Sequence, residues 1–403
     1  MLLLCQRFYS LFVTSSHMLA RKWTLAAVPA VCLLTLLSSC SNDDDNNVAP
    51  NLRTKIDYAQ LADTTSYARL FVDQTGASTV DLSQGRARLS MIRAMDTYMK
   101  TVTPAGSTVV LDGTVLKNMF ANTGSPFSDA ALNTSGLAVR TVTGLSATDP
   151  EKVRKRLDDH FVAIAEASKS VQLTAAEGKA GKLGTYLVDS KGIELGQVIA
   201  KSFIGAFQLD YIAQTLFSDQ SLNADNSKVV SGKKYTQLEH NWDEAYGILT
   251  LNARYGMNAT PTSNGGESFL GSYVWEYNKE GFAKLHPAFL KGRAAIVNND
   301  KTVLKEQALL IRTEFEKAIA AAARGYLDKW KTNATNDAAR AHAFGEGAGF
   351  IYSLRFCKVN GADDAFSDGL LNDLVDSDPK GFWGLTNAKV DAASAKIKAK
   401  FNL

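Results

Sequence analysis

The sequence predicts an all-α protein with long irregular loops and little or no sheet. Three observations lead there. From about residue 55 onward apolar residues recur at helical spacing, and no βαβ alternation of the kind that builds a parallel sheet is present. In addition, two stretches repeat one pattern about a hundred residues apart: His240-Asn241-Trp242-Asp243-Glu244-Ala245-Tyr246-Gly247 and His342-Ala343-Phe344-Gly345-Glu346-Gly347-Ala348-Gly349. On a helix, side chains at i and i+4 stand one above the other, so each stretch presents a His/Glu pair on one face.

The first forty residues read as a targeting segment. After Met18 come Arg21 and Lys22, the apolar run Trp23 to Leu37, and then Leu37-Ser38-Ser39-Cys40. The apolar core is shorter than the roughly 20 residues a membrane span needs and ends in small residues and Cys, which resembles a bacterial lipoprotein signal. Translation is expected to start at Met18, with residues 1–39 as signal segment and Cys40 as the lipidated residue, anchored by acyl chains. The acidic, polar stretch Ser41 to Asn47 suits a solvated tether over 40–54, and acids just after a lipidated Cys resemble a surface-export signal of outer-membrane lipoproteins. Loss of Arg7, Arg21 and Lys22 takes the formal charge of +3 to about zero, which removes electrostatic grounds for a nucleic-acid partner. Of four cysteines only Cys357 then stays unmodified, so no intrachain disulfide or Cys-based zinc site is expected, and Cys357 reads as a buried apolar residue.

Leu82 to Tyr98 carries Leu89, Ile92, Met95 and Met99 on one side and arginines on the other, an amphipathic outer helix. Residues 104–147 are rich in Gly, Ser, Thr, Asn and Pro, a long loop with short helical turns in which only Ser107 to Leu116 has strand character. Asp149-Pro150-Glu151 supplies an N-cap, a first-turn Pro and a first-turn acid to a helix bearing Leu157, Phe161 and Ile164, with His160 at its boundary. Gly192 to Phe217 is apolar on nearly all sides and predicts a central buried helix. Residues 255–275 read as a second long loop, and His286-Pro287 as a loop or helix start. Leu304, Ala308, Ile311, Phe315, Ile319, Ala322, Tyr326 and Trp330 form one stripe over about seven turns of a long helix.

Around the repeats, Thr236-x-x-Glu239 is a capping box that starts a helix before His240, and Asn336 or Asp337 can cap the second. The face with His240, Glu244 and Gly247 is separate from that with Leu238, Trp242, Ala245 and Leu249. Gly345, Gly347 and Gly349 each cost about 1 kcal/mol relative to Ala in a helix interior, an expense that close approach of another helix explains. Paired His and Glu on facing helices are how bundles build metal sites, so His240, Glu244, His342 and Glu346 are candidate ligands for a divalent or ferric ion, iron or zinc, with Asp243 as a fifth. Arg293 and Trp242 are expected to support these ligands. The competing reading is a structural polar seam, in which Arg293 pairs with Asp243 or Glu244.

These motifs, with Lys291-Gly292-Arg293-Ala294-Ala295-Ile296, Phe350-Ile351-Tyr352-Ser353-Leu354 and Tyr186-Leu187-Val188-Asp189, resemble an uncharacterised lipoprotein family of the imelysin-like clan over about Tyr58 to Trp383. The resemblance implies two pseudo-symmetric four-helix bundles, here 55–230 and 231–403, and a link to iron acquisition at the envelope alongside an outer-membrane transporter or other envelope proteins. Imelysin-type proteins carry Gly-x-His-x-x-Glu, whereas here the spacing is four, Leu238 and Arg340 stand where Gly is expected, and Asp243 lies three past His240. His-Glu-x-x-His, Gly-x-Ser-x-Gly and P-loop strings are absent, so an enzyme, in particular a metallohydrolase, is not expected. The alternative is a surface glycan- or protein-binding lipoprotein using aromatics such as Tyr273, Trp275, Tyr277 and Trp383.

Overall fold

Side-chain caps open the helices at several of the places where the sequence puts them. The computed structural model describes residues 52–62, 64–250 and 269–403. Tyr67–Leu70 (α1), Ser83–Lys100 (α2), Gly113–Ala121 (α3), Ala130–Asn133 (α4) and Pro150–Ser168 (α5) precede an antiparallel hairpin of Gly181–Leu183 (β1) and Tyr186–Val188 (β2). Then come Leu195–Phe203 (α6), Asp219–Leu222 (α7), Gln237–Leu249 (α8), Leu270–Tyr277 (α9), Lys279–Asn298 (α10), Lys301–Thr332 (α11), Asp337–Ser353 (α12), Asp364–Leu371 (α13) and Asn387–Phe401 (α14). The fold is all-α, and the hairpin is its one sheet among the described residues.

The Asp149 carboxylate accepts the Lys152 amide at 3.1 Å and starts α5. At α8 the capping box is complete: Thr236 Oγ1 accepts the Glu239 amide at 3.1 Å and Glu239 Oε2 accepts the Thr236 amide at 2.8 Å. Asn336 caps α12 by accepting the Ala339 amide at 3.0 Å. The stripe of α11 is its core face, since no residue from Leu304 to Trp330 along it is more than 5% exposed. Helix α11 lies between α10 and α12, with α9 and α14 also against it. Helix α6 runs on as π-helical turns, Ile204–Leu209 and Tyr211–Leu216, so the buried helix expected over 192–217 is present with a looser pitch in its second half.

The described residues form one compact unit, in which α2 packs against α8 and α6 against α12. Helices on opposite sides of residue 230 are therefore direct neighbours.

Several expectations are corrected. Ser107 to Leu116 is not a strand: Asp112 accepts the Thr114 amide at 2.7 Å and turns the chain into α3 at Gly113, while the hairpin forms at 181–188. His286-Pro287 lies inside α10, not at a loop or start. The imidazole is tied on both sides there, Nε2 to the Thr65 carbonyl at 2.8 Å and Nδ1 to the Tyr246 hydroxyl at 3.1 Å. Both expected faces of helix α8 are buried, because α2, α10 and the π-helical turns pack on it. Helix α2 is not wholly outer, since Arg88 is turned inward. The loop expected over 255–275 lies outside the described residues up to 268, and from Leu270 the chain is helical.

Candidate functional site

The two repeated motifs occupy matching positions on two helix pairs. On α8, Glu244 takes the guanidinium of Arg88 from α2, and Tyr211 is hydrogen-bonded to it as well. On α12, Glu346 takes the ammonium of Lys201 from α6 at 2.9 Å and the Tyr273 hydroxyl at 3.1 Å. Each histidine stacks on a tyrosine, His240 on Tyr235 at 4.6 Å between ring centres and His342 on Tyr186 at 4.2 Å. Each also faces an acid seven residues before its pair's cation, Asp81 ahead of Arg88 and Glu194 ahead of Lys201.

The last glycine of each motif is where the two helices of each pair meet. A methyl on Gly247 would stand 2.7 Å from the Leu82 carbonyl oxygen, and one on Gly349 would stand 2.6 Å from Lys201 Cβ and 2.7 Å from the Val198 carbonyl oxygen. Gly345 approaches Glu194 and Gly347 approaches Tyr326, so the glycine series of α12 does mark close approach on two sides.

The pairs differ in how burial and charge shift their titrating groups. Burial pulls the His240 imidazole below its ordinary value, with Asp81 opposing, and burial raises the Glu244 carboxyl although Arg88 opposes. For His342 burial also disfavours the cation, but the Glu194 hydrogen bond at 2.7 Å and the charges of Glu194 and Glu346 outweigh it and raise its pKa. Burial pushes Glu346 up, and Lys201 and His342 outweigh that to hold it below the usual range. Both motifs thus hold a buried carboxylate against a cation, and their histidines are shifted in opposite directions.

The second motif opens outward. Glu194, Lys201, His342, Glu346, Gln197 and Tyr273 line a cavity of about 670 Å³ together with Met99, Val102, Pro104, Ile164 and Leu187. Glu194, Lys201 and Glu346 are no more than 8% exposed yet border this space, so folding carries charged groups to the floor of a cleft.

The candidate metal ligands fall on two different helix pairs. Among the described residues no group of three or more His, Cys, Asp or Glu side chains is placed to hold a metal. His240 and Glu244 sit on the α2/α8 pair, His342 and Glu346 on the α6/α12 pair, and the carboxylates already have cationic partners. Asp243 is taken by Arg293 at 3.0 Å and by the Tyr67 hydroxyl at 2.6 Å, and Arg293 also holds Glu239 at 2.9 Å and Thr79 at 3.1 Å. Of the two acids open to Arg293, Asp243 is the one it meets. Trp242 packs as core, donating its indole N–H to the Phe289 carbonyl at 3.0 Å. Of the aromatics expected to be exposed, Tyr273, Trp275, Tyr277 and Trp383 are half-buried, and Tyr273 lines the cleft.

Sequence reasoning missed Glu194 and Lys201. The signal was there: in the otherwise apolar run 192–217, Glu194, Lys201 and Asp210 are the charged residues, and a charge on a fully buried helix needs a partner.

Fold and site together define an all-helical protein built on two matched helix pairs, one of them opening onto a charged cleft. The chain belongs to a family described as a domain of unknown function, DUF4856, which matches residues 68–403. Comparison with curated proteins and with solved structures gives no match.

Proposed function

We propose that this chain is a lipid-anchored envelope protein that binds a small ligand in the cleft bordered by α2, α6, α12 and the β1–β2 hairpin. The observation that carries this reading is the convergence of Glu194, Lys201, His342 and Glu346, three of them more than nine-tenths buried, on a cavity of about 670 Å³ that apolar side chains also line. That volume and mixed lining suit a small-molecule site. Cys40 at the end of the signal-like segment supports the anchor, and no helix among the described residues is long and apolar enough to cross a membrane. A single metal centre formed by the two His/Glu pairs is not part of the proposal, since Arg88 and Lys201 already pair with their carboxylates.

Two measurements test it. A thermal-shift screen of the soluble chain from Ser41 against saccharides, amino acids, amines and carboxylates should give at least one saturable stabiliser whose effect is lost in Thr185→Trp, which plugs the cleft rim. No stabiliser from any class, or one indifferent to that plug, would sink the cleft reading. Palmitate labelling of intact cells should mark the wild type and spare Cys40→Ala.

A further inference from the structure

We propose that the cleft selects a ligand with a cationic head and an apolar body, the head seated on Glu194 and the body against the cleft's apolar lining; this rests on the cleft being the ligand site. Charge accounting along the lining leads to it. Three carboxylates, Asp96, Glu194 and Glu346, face two ammonium groups, Lys100 and Lys201. Asp96 and Lys100 satisfy each other at 2.6 Å on the same helix. Lys201 is committed to Glu346 at 2.9 Å, to the Gln197 carbonyl oxygen at 2.8 Å and to the face of Tyr273.

Glu194 is what remains. Its partner is the His342 imidazole at 2.7 Å, and among the described residues no Lys or Arg reaches it. Glu194 is only 8% exposed and makes no side-chain cap to α6, so it is not held there by a helix-starting role. A buried carboxylate without a permanent cation, at the edge of a cavity, is matched by an ammonium or guanidinium that brings its own hydrogen-bond donors. An anionic head would meet all three carboxylates while the cleft's inner cation is already spent on Glu346. Met99, Val102, Ile164 and Leu187 line the same cavity and supply apolar contacts for the rest of the ligand.

The test uses the soluble chain from Ser41 and matched six-carbon probes, hexylammonium, hexanoate and 1-hexanol, titrated by calorimetry, with Glu194→Gln and Thr185→Trp beside the wild type and circular dichroism to verify folding. Hexylammonium is expected to bind most tightly, to lose about tenfold or more in affinity with Glu194→Gln, and to be excluded by Thr185→Trp. Hexanoate or hexanol binding as tightly as the amine, or an affinity unchanged by Glu194→Gln in a folded variant, overturns the cationic-head assignment and leaves the cleft reading standing. Binding of none of the three overturns the assignment too, and the broader screen above then decides separately whether the cleft binds anything.

Discussion

Glu346 on α12 receives Lys201 from α6 at 2.9 Å, in the place on its helix pair where Glu244 on α8 receives Arg88 from α2. A repeated His/Glu spacing thus marks a repeated helix contact. The second glutamate borders a cleft and its lysine partner is buried, so the pair is both structural support and part of the cleft floor.

Removing one member of that pair strands the other. Lys201→Met is expected to cost about 3 kcal/mol in urea denaturation, and adding Glu346→Gln should recover part of the loss, because the uncompensated buried charge is then gone. A single-variant loss under about 1 kcal/mol would mean that water reaches Glu346 and screens it.

Arg293, wholly buried, holds Glu239, Asp243 and Thr79 with separate nitrogens of its planar fork. Lysine keeps the charge but not the fork, so Arg293→Lys should destabilise by about 2 kcal/mol or more and Arg293→Met by still more. Equal stability of Arg293→Lys and wild type in chemical denaturation would show that charge alone suffices.

Three glycines separate packing from propensity. Gly247→Ala and Gly349→Ala push a methyl into facing backbone and should each cost about 2 kcal/mol or more. Gly369 sits in α13 with nothing within 4 Å of an added methyl, so Gly369→Ala should gain about 0.5–1 kcal/mol. Melting temperatures moving the same way in all three would contradict the packing assigned to α2/α8 and α6/α12.

Burial, with Arg156 nearby, lowers the His160 pKa from 6.5 to about 4. Its neutral form is favoured in the fold, so its contribution is fully present above pH 6.5. As pH falls from 6.5 to about 4 the unfolded chain takes up the proton first, and stability declines. Relative to His160→Gln, the wild type should therefore lose stability across that window, and parallel pH profiles for the two proteins would exclude the effect.

Helix class, the capping box at Thr236, the cap at Asp149, the stripe of α11 and the significance of the α12 glycines were all legible in the sequence, because propensity, capping and period are local. What the His/Glu repeat does was not. Spacing puts His240 with Glu244 and His342 with Glu346 on one helix face each, but whether two such faces meet each other or meet cations depends on which helices become neighbours. Tertiary packing set α2 against α8 and α6 against α12, bringing Arg88 and Lys201 to the glutamates and Arg293 to Asp243. It also decided that one seam closes and the other borders a cleft, since Glu194 and Tyr186 come from segments about 150 residues before His342, a distance no local pattern spans.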